Sequence, residues 1–532
     1  MQMKERNMSN HIKKKEQTRN SFQENAALIM GIFTLVVLCI FPVVYHHYYF
    51  DILETKYQFY CAVSLIAMAA MAGYGLAGGR IAAFFKDFNF KSVCKSLNYV
   101  DWAMIAFWLS NVISWLLCSD WRWDAFWGTF GRYNGVFLMT IYMIVYFMVT
   151  RFFCFRQWYL DALLAVGIFV CVFGITDYFQ MDILGFKVNM VEEQIAMYTS
   201  TLGNINTYTV YVGVVAVISM ILFALEKNQK RMLWYFGNMV LSSMALIIGT
   251  SDNAYLTIAA LFGFAPLYLF RTKTGVRRYL ISLATFFTVI QIVDWLNVKY
   301  ADRVLGIKSA FNLIVNYDRL PHLVIGLWIS AAVAVVLTVK QKGDADKIGV
   351  WLRLLWAVVI AAVVGAAVYV LYDANVAGNA EKYSAISNYV VFNEAWGTHR
   401  GFVWIRAIKV FQDKLTPLQK IFGYGPETFK ILMQYYYSSD MKTVIFDNAH
   451  NEYLHYLLTI GIVGMVSYIA LMVSSVVRMA RNLSGRPEVA ACLFVIAAYM
   501  VQAVVNLNLP IAMPIILHLL AMGLSKGPAG KA

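Results

Sequence analysis

Charged side chains are scarce in this chain. Asp, Glu, Lys and Arg make up 14% of its 532 residues, against about 25% in soluble domains. That shortage excludes a water-soluble globular protein and points to an integral membrane protein. Cysteine offers no framework either. The seven thiols (Cys39, Cys61, Cys94, Cys118, Cys154, Cys171 and Cys492) form no CxxC pair and lie in or near apolar runs. They read as small core residues, with no disulfide scaffold or metal site among them. The chain also lacks a Walker loop, a dinucleotide-binding glycine fingerprint, tandem repeats and low-complexity tracts.

What fills the chain instead is apolar sequence, with 60% hydrophobic and 16% aromatic residues. Runs long enough to cross a hydrocarbon core of about 30 Å recur along nearly its whole length. The expected fold is an all-α polytopic membrane protein of about 14 transmembrane helices. The spans centre near 26–45, 57–77, 102–118, 134–153, 159–178, 206–226, 232–250, 253–270, 279–297, 322–340, 351–371, 453–475, 488–506 and 510–524. Gln291 and Asp294 weaken the ninth. The first run follows a polar, basic stretch and lacks a small-residue cleavage site, so it reads as a membrane helix rather than a signal peptide.

Charge orients the array. With the N-terminus inside, the inner segments collect Lys13, Lys14, Lys15, Arg80, Lys86, Arg151, Arg231, Arg277, Arg278, Lys340, Arg478 and Arg481, among others. About 28 basic and 10 acidic residues then fall inside, and about 16 basic and 20 acidic outside. Both termini are thus expected in the cytoplasm, and the net charge of +14 reflects topology with no need for nucleic acid. The division follows: a basic tail over 1–25 that meets anionic lipid, helices over 26–371, one large extracytoplasmic loop over 372–452, C-terminal helices over 453–524 and a short cytoplasmic tail at 525–532. The outer face has no ATP, so any group transfer there must use a donor that carries its own activation.

The end of that loop concentrates chemistry. From Phe446 to Gly464 it reads F-D-N-A-H-N-E-Y-L-H-Y-L-L-T-I-G-I-V-G, placing His450, Asn451 and Glu452 where a polar loop meets an apolar helix. A titratable imidazole at a membrane surface is a functional candidate. Earlier in the loop Trp404, Ala407, Ile408, Phe411 and Leu415 recur at helical spacing, which predicts an amphipathic helix lying on the outer membrane surface. In G-Y-G-P-E-T-F (Gly423 to Phe429), Pro426 and Glu427 predict a helix start, with either a plain turn or a phosphate cradle at its head.

The chain resembles the O-antigen ligase and polymerase superfamily of bacterial membrane glycosyltransferases, most closely over residues 394–475. The carrying motifs are W-G-T-H-R-G-F-V-W (Trp396 to Trp404), G-Y-G-P-E-T-F and D-N-A-H-N-E-Y-L, with weaker matches at G-R-Y-N-G (Gly131 to Gly135) and T-L-G-N-I-N-T-Y (Thr201 to Tyr208). The resemblance implies a GT-C-like fold and metal-independent transfer of a glycan from an undecaprenyl-diphosphate carrier, without a cofactor. The acceptor would be a glycan, lipid or protein hydroxyl on the outer face, and a chain-length regulator a partner. Such chemistry needs a base near neutral pKa, an arginine fork for the diphosphate and a groove for the lipid.

By that resemblance His450 is the acceptor-activating base, with a helix-capping structural histidine as the competing reading. Arg400 matches the loop arginine that would bind the diphosphate, against a solvated surface arginine. Arg132 either contacts the same phosphates or anchors the interface. Asn204 and Asn206 either bind sugar or phosphate or cap the sixth span. Asn451 and Glu452 either orient His450 or cap its helix, and His399 and His455 read as structural. The chain departs from the family at G-T-S-D-N-A-Y (Gly249 to Tyr255), where Asp252 stands in place of an arginine that binds diphosphate. Arg132, Arg303 or Arg319 then supplies the missing charge, or the donor site differs. Two readings compete with a transferase: a lipid-linked-glycan flippase or transporter, and a non-catalytic envelope assembly subunit.

Overall fold

A computed structural model describes residues 22–525 apart from 130, 308, 342 and 439–446. The expected tails therefore lie outside the described residues, except that the chain is already helical at Phe22. The described fold is helical, with one short strand pair (Tyr198–Thr199 with Gly203–Asn204). Among the described residues ten helices are long and apolar enough to cross a membrane: Phe22–Val43, Ile52–Ala77, Tyr99–Leu117, Trp158–Tyr178, Ile205–Leu225, Gln229–Ile248, Lys273–Lys299, Leu320–Thr338, Trp351–Asn375 and Gly461–Arg481. Four shorter apolar helices accompany them, at Val136–Phe152, Asn253–Leu269, Pro487–Gln502 and Met513–Leu524. The chain is a multi-pass membrane protein.

Ile205–Leu225 is the hub. Its sequence is apolar on every side, as befits a helix surrounded by others, and nearly all of it is buried. It packs against Gln229–Ile248, Pro487–Gln502, Asn253–Leu269 and Trp158–Tyr178. Leu320–Thr338 and Trp351–Asn375 do the opposite, leaving most of their apolar side chains exposed, the surface expected of helices facing lipid. Lys273–Lys299 is one helix of 27 residues, and its Gln291 and Asp294 side chains pair, Gln291 Nε2 donating to Asp294 Oδ2 at 2.9 Å.

Two elements differ from the sequence reading. The segment expected as one span at 453–475 is two helices, Glu452–Thr459 and Gly461–Arg481. The G-Y-G loop inserts at the break. The amides of Tyr424 and Gly425 donate to the carbonyls of Leu458 and Thr459 at 2.9 and 3.0 Å. A Cβ on Gly423 would sit 2.2 Å from the Thr459 carbonyl oxygen, so the approach requires glycine.

The amphipathic helix exists (Trp396–Lys409), but protein, not lipid, covers its face. Val403, Ala407, Val410 and Leu415 form a second core with Phe429, Leu432, Met433, Ala449 and Leu458. Ile408, expected on that face, is 43% exposed. The indole of Trp404 donates to the Ala449 carbonyl at 2.8 Å, which pins this helix to the D-N-A-H turn. The described part of this loop is thus a packed unit that holds its motifs to one another.

Candidate active site

Three loop motifs and two interhelical turns meet here. Before Arg400 the backbone makes three consecutive left-handed residues, Gly397, Thr398 and His399, at φ 59°, 56° and 68°. A β-branched threonine there is strained, and the turn buries the arginine that follows while His399 stays exposed. Arg400 is 8% exposed. Its Nη1 donates to the Gly397 carbonyl at 3.1 Å and lies 3.9 Å from Asp252 Oδ2, while its buried Nε has no hydrogen-bond partner among the described residues. Burial lowers the guanidinium's pKa below its ordinary value, with Asp252 and Tyr255 opposing. It remains a cation.

G-Y-G-P-E-T-F does not begin a helix at Pro426. The helix begins at Phe429, and Gly425 to Thr428 form a turn closed by the Thr428 amide on the Gly425 carbonyl at 3.3 Å. Pro426 takes the second position of that turn and Glu427 the third, at φ 57°, where glycine is usual. Glu427 accepts that strain because its buried carboxylate is satisfied on both sides. Oε2 accepts from the Arg132 amide at 2.6 Å, and Oε1 meets His455 Nε2 at 3.2 Å. This locks the G-R-Y-N-G turn to the loop. A Cβ on Gly131 would fall 1.9 Å from Glu427 Oε2. Gly131→Ala is therefore expected to cost about 1–3 kcal/mol of stability through overpacking, read as a lower melting temperature of the purified protein. An unchanged melting temperature would mean that the turn moves aside freely.

The locked turn places Arg132 against Asp447. The fork is bidentate, Nε to Oδ2 at 2.8 Å and Nη2 to Oδ1 at 3.0 Å. Burial raises the Asp447 pKa, but Arg132, joined by His450, more than compensates and holds the carboxyl below its usual range. His450 follows in the left-handed region at φ 48°, its amide held by the Asn448 side-chain oxygen at 2.8 Å. Burial first, then the charges of Arg400 and Arg132, push its imidazole pKa down to about 3, with Asp447 opposing. The ring is thus neutral at physiological pH, with a lone pair free to take a proton.

Of the residues picked out from sequence, His450, Arg400 and Arg132 share this electrostatic cluster. Asn451 caps the helix it precedes, accepting from the Leu454 amide at 3.0 Å. Glu452 is buried, with the Tyr499 hydroxyl donating to it at 2.9 Å. Asn204 accepts from the Asn206 amide at 2.9 Å, and Asn206 accepts from the Ser251 hydroxyl at 2.5 Å, an arrangement that ties two helix starts together. Arg303 and Arg319 are exposed. Among the described residues no three His, Cys, Asp or Glu side chains converge as a metal-ligand group.

Sequence reasoning passed over the partners of these cations. Asp447 stands inside a quoted motif, yet nothing marks it as the partner of an arginine 315 residues upstream. Asp252, which stands where the resemblance places a diphosphate-binding arginine, makes no side-chain cap. It accepts from the Ala310 amide at 3.1 Å and lies beside Arg400, the two lining a cavity of about 420 Å³.

A search among curated proteins returned no match. Residues 304–469 match the model of the O-antigen ligase family, and over that stretch, which contains Arg400, Glu427, Asp447, His450 and His455, the chain carries a domain of that family.

Proposed function

We propose that the chain is a membrane glycosyltransferase that moves a glycan from an undecaprenyl-diphosphate carrier to an acceptor hydroxyl on the outer face of the bacterial cytoplasmic membrane, without a metal, for cell-surface polysaccharide assembly. What carries this reading is a neutral imidazole beside a buried arginine with unused donor capacity. The acceptor oxygen attacks the anomeric carbon and its proton passes to His450. The bond from that carbon to the diphosphate breaks, and undecaprenyl diphosphate departs with the electron pair. Arg400 meets the negative charge as it develops.

Geometry chooses between the two arginines. Arg132 is committed to Asp447 by two short hydrogen bonds, whereas Arg400 stands 3.9 Å from its carboxylate and keeps Nε free. Arg400 is then the diphosphate ligand, and Arg132 holds Asp447 beside the base. The donor also prepares that base. A diphosphate against Arg400 offsets the positive field that depresses the His450 pKa, and so raises its basicity in the complex.

A flippase would need charge along an inner path. Lys56, buried at the head of Ile52–Ala77, spends its ammonium on the carbonyls of Phe41, Pro42 and Val44 at 2.9–3.0 Å, so it is structural. The deciding experiment reconstitutes the purified protein with an undecaprenyl-diphosphate oligosaccharide and weighs the lipid products. Longer lipid-linked chains mark a polymerase, and consumption that needs an added acceptor marks a ligase. An intact donor in both cases sinks the transferase reading. In a cysteine-free background, single cysteines at Ser438 and Arg481 are expected to react with an impermeant thiol reagent from outside and inside respectively. The reverse pattern would put the site in the cytoplasm.

A further inference from the structure

The cavity beside Arg400 is larger than a diphosphate needs. Its volume of about 420 Å³ falls within the range of small-molecule pockets, about 300–1,000 Å³. One wall carries the Arg400 guanidinium, nine-tenths buried and with Nε unpartnered among the described residues. Beside it on the same lining stands Asp252, whose Oδ1 is occupied by the Ala310 amide while Oδ2 lies 3.9 Å from Arg400 Nη1, beyond hydrogen-bond distance. Tyr255, Tyr389, Trp396 and Asn388 line the rest of the cavity. The Trp396 ring is held in place, its indole donating to the Tyr389 carbonyl at 3.0 Å and its centroid 5.1 Å from that of the tilted Trp404 ring.

These walls ask for a ligand of two unlike ends. Arg400 calls for an anion. The carboxylate beside it repels a second anion and calls for hydrogen-bond donors, which bind it in the stronger, charge-assisted way. Aromatic side chains lining the same cavity favour a flat, partly apolar ring surface. A glycosyl phosphate has all three parts: a phosphate, a ring with an apolar face, and neighbouring hydroxyls. Resting on the donor assignment above, we infer that this cavity holds the sugar directly attached to the carrier diphosphate, with Asp252 as the acceptor of its hydroxyl hydrogen bonds and hence a determinant of which first sugar the protein takes. The carboxylate that stands where the family has an arginine would then read sugar rather than phosphate.

The test measures binding to the purified full-length protein of three probes: sugar-free undecaprenyl diphosphate, the same carrier bearing an oligosaccharide, and the free oligosaccharide. Asp252→Asn keeps an oxygen for the Ala310 amide, so the fold is expected to survive it. The glycosylated carrier should bind Asp252→Asn about tenfold more weakly or worse, the loss of a charge-assisted hydrogen bond, while the sugar-free carrier binds as well as before or better. Tyr389→Phe should shift the same probe in the same direction by a smaller factor. Equal weakening of both carriers, or no change in either, overturns the sugar assignment. An Asp252-dependent loss confined to the free oligosaccharide overturns it as a donor site. Arg400→Ala isolates the reading beneath it. Sugar-free carrier that binds this variant like the wild type removes the diphosphate assignment, whatever Asp252 does.

Discussion

Replacing His450 by alanine is expected to lower glycan transfer by about 10²–10⁴-fold, the span of a lost general base, while protein level and membrane insertion stay intact. Two variants are needed because His450 occupies the left-handed region. Alanine tolerates that region poorly and asparagine well, so His450→Asn keeps the turn and still cannot take the proton. Equal inactivity in both assigns the loss to the imidazole, whereas activity restored by asparagine would make the residue a backbone device. The pH profile is the sharper readout. Because the pKa in the donor-free protein is pushed down to about 3, the imidazole is already deprotonated well below pH 6.5. The acid limb of kcat/KM should therefore lie far below the ordinary histidine value. In kcat the limb should sit higher, since the bound diphosphate offsets Arg400. A kcat/KM limb near pH 6.5 that disappears in His450→Asn would place the imidazole outside the field of the two arginines. The same shift bears on stability. Between pH 6.5 and about 3 the unfolded chain takes up a proton that the folded loop refuses, so this group's contribution turns against the fold as pH falls through that window.

Much of this fold could be read from period and charge, since burying an apolar run in lipid leaves the chain few alternatives. The helices at Ile205–Leu225 and Trp351–Asn375 are of that kind. Where sequence reading failed, two protein segments competed for one surface. The run at 453–475 looks continuous because a glycine in an apolar stretch carries no sign of what will pack there. The break at Gly461 exists because the G-Y-G loop needs the Leu458 and Thr459 carbonyls. The face of Trp396–Lys409 was misjudged for the same reason, since lipid and a protein core ask for similar side chains and only the fold says which is present. In the site, single residues were visible and pairs were not. His450 and Arg400 stand out by type and motif, whereas Glu427 looked like a first-turn helix residue until its strained turn aimed it at Arg132. An ion pair 315 residues apart leaves no trace in one sequence.

Arg400 supplies the other large effect, and there stability and activity should part. A buried arginine with one direct hydrogen bond, a carboxylate at 3.9 Å and an unsatisfied Nε is a poor bargain for the fold, because desolvating a charge costs several kcal/mol that this geometry does not return. Removing it leaves little behind. Gly397 loses one donor, and the Asp252 side chain is 26% exposed and keeps the Ala310 amide. Arg400→Met, matched in length and apolar, is therefore expected to melt at or above the wild-type temperature. Transfer should nevertheless fall by about 10²–10³-fold, the magnitude of a lost preorganised donor at developing charge. Arg400→Lys should be nearly as inactive, for two reasons that act together. An ammonium cannot reproduce the planar fork across a diphosphate, and burial without a close partner drives a lysine toward its neutral form, whereas an arginine stays charged. Measuring melting temperature and transfer on the same preparations separates the two roles. A stable, inactive Met variant means the arginine is kept for the donor at the expense of the fold. A variant that melts early in proportion to its lost activity means that Arg400 is structural, and the diphosphate must then be held by another group.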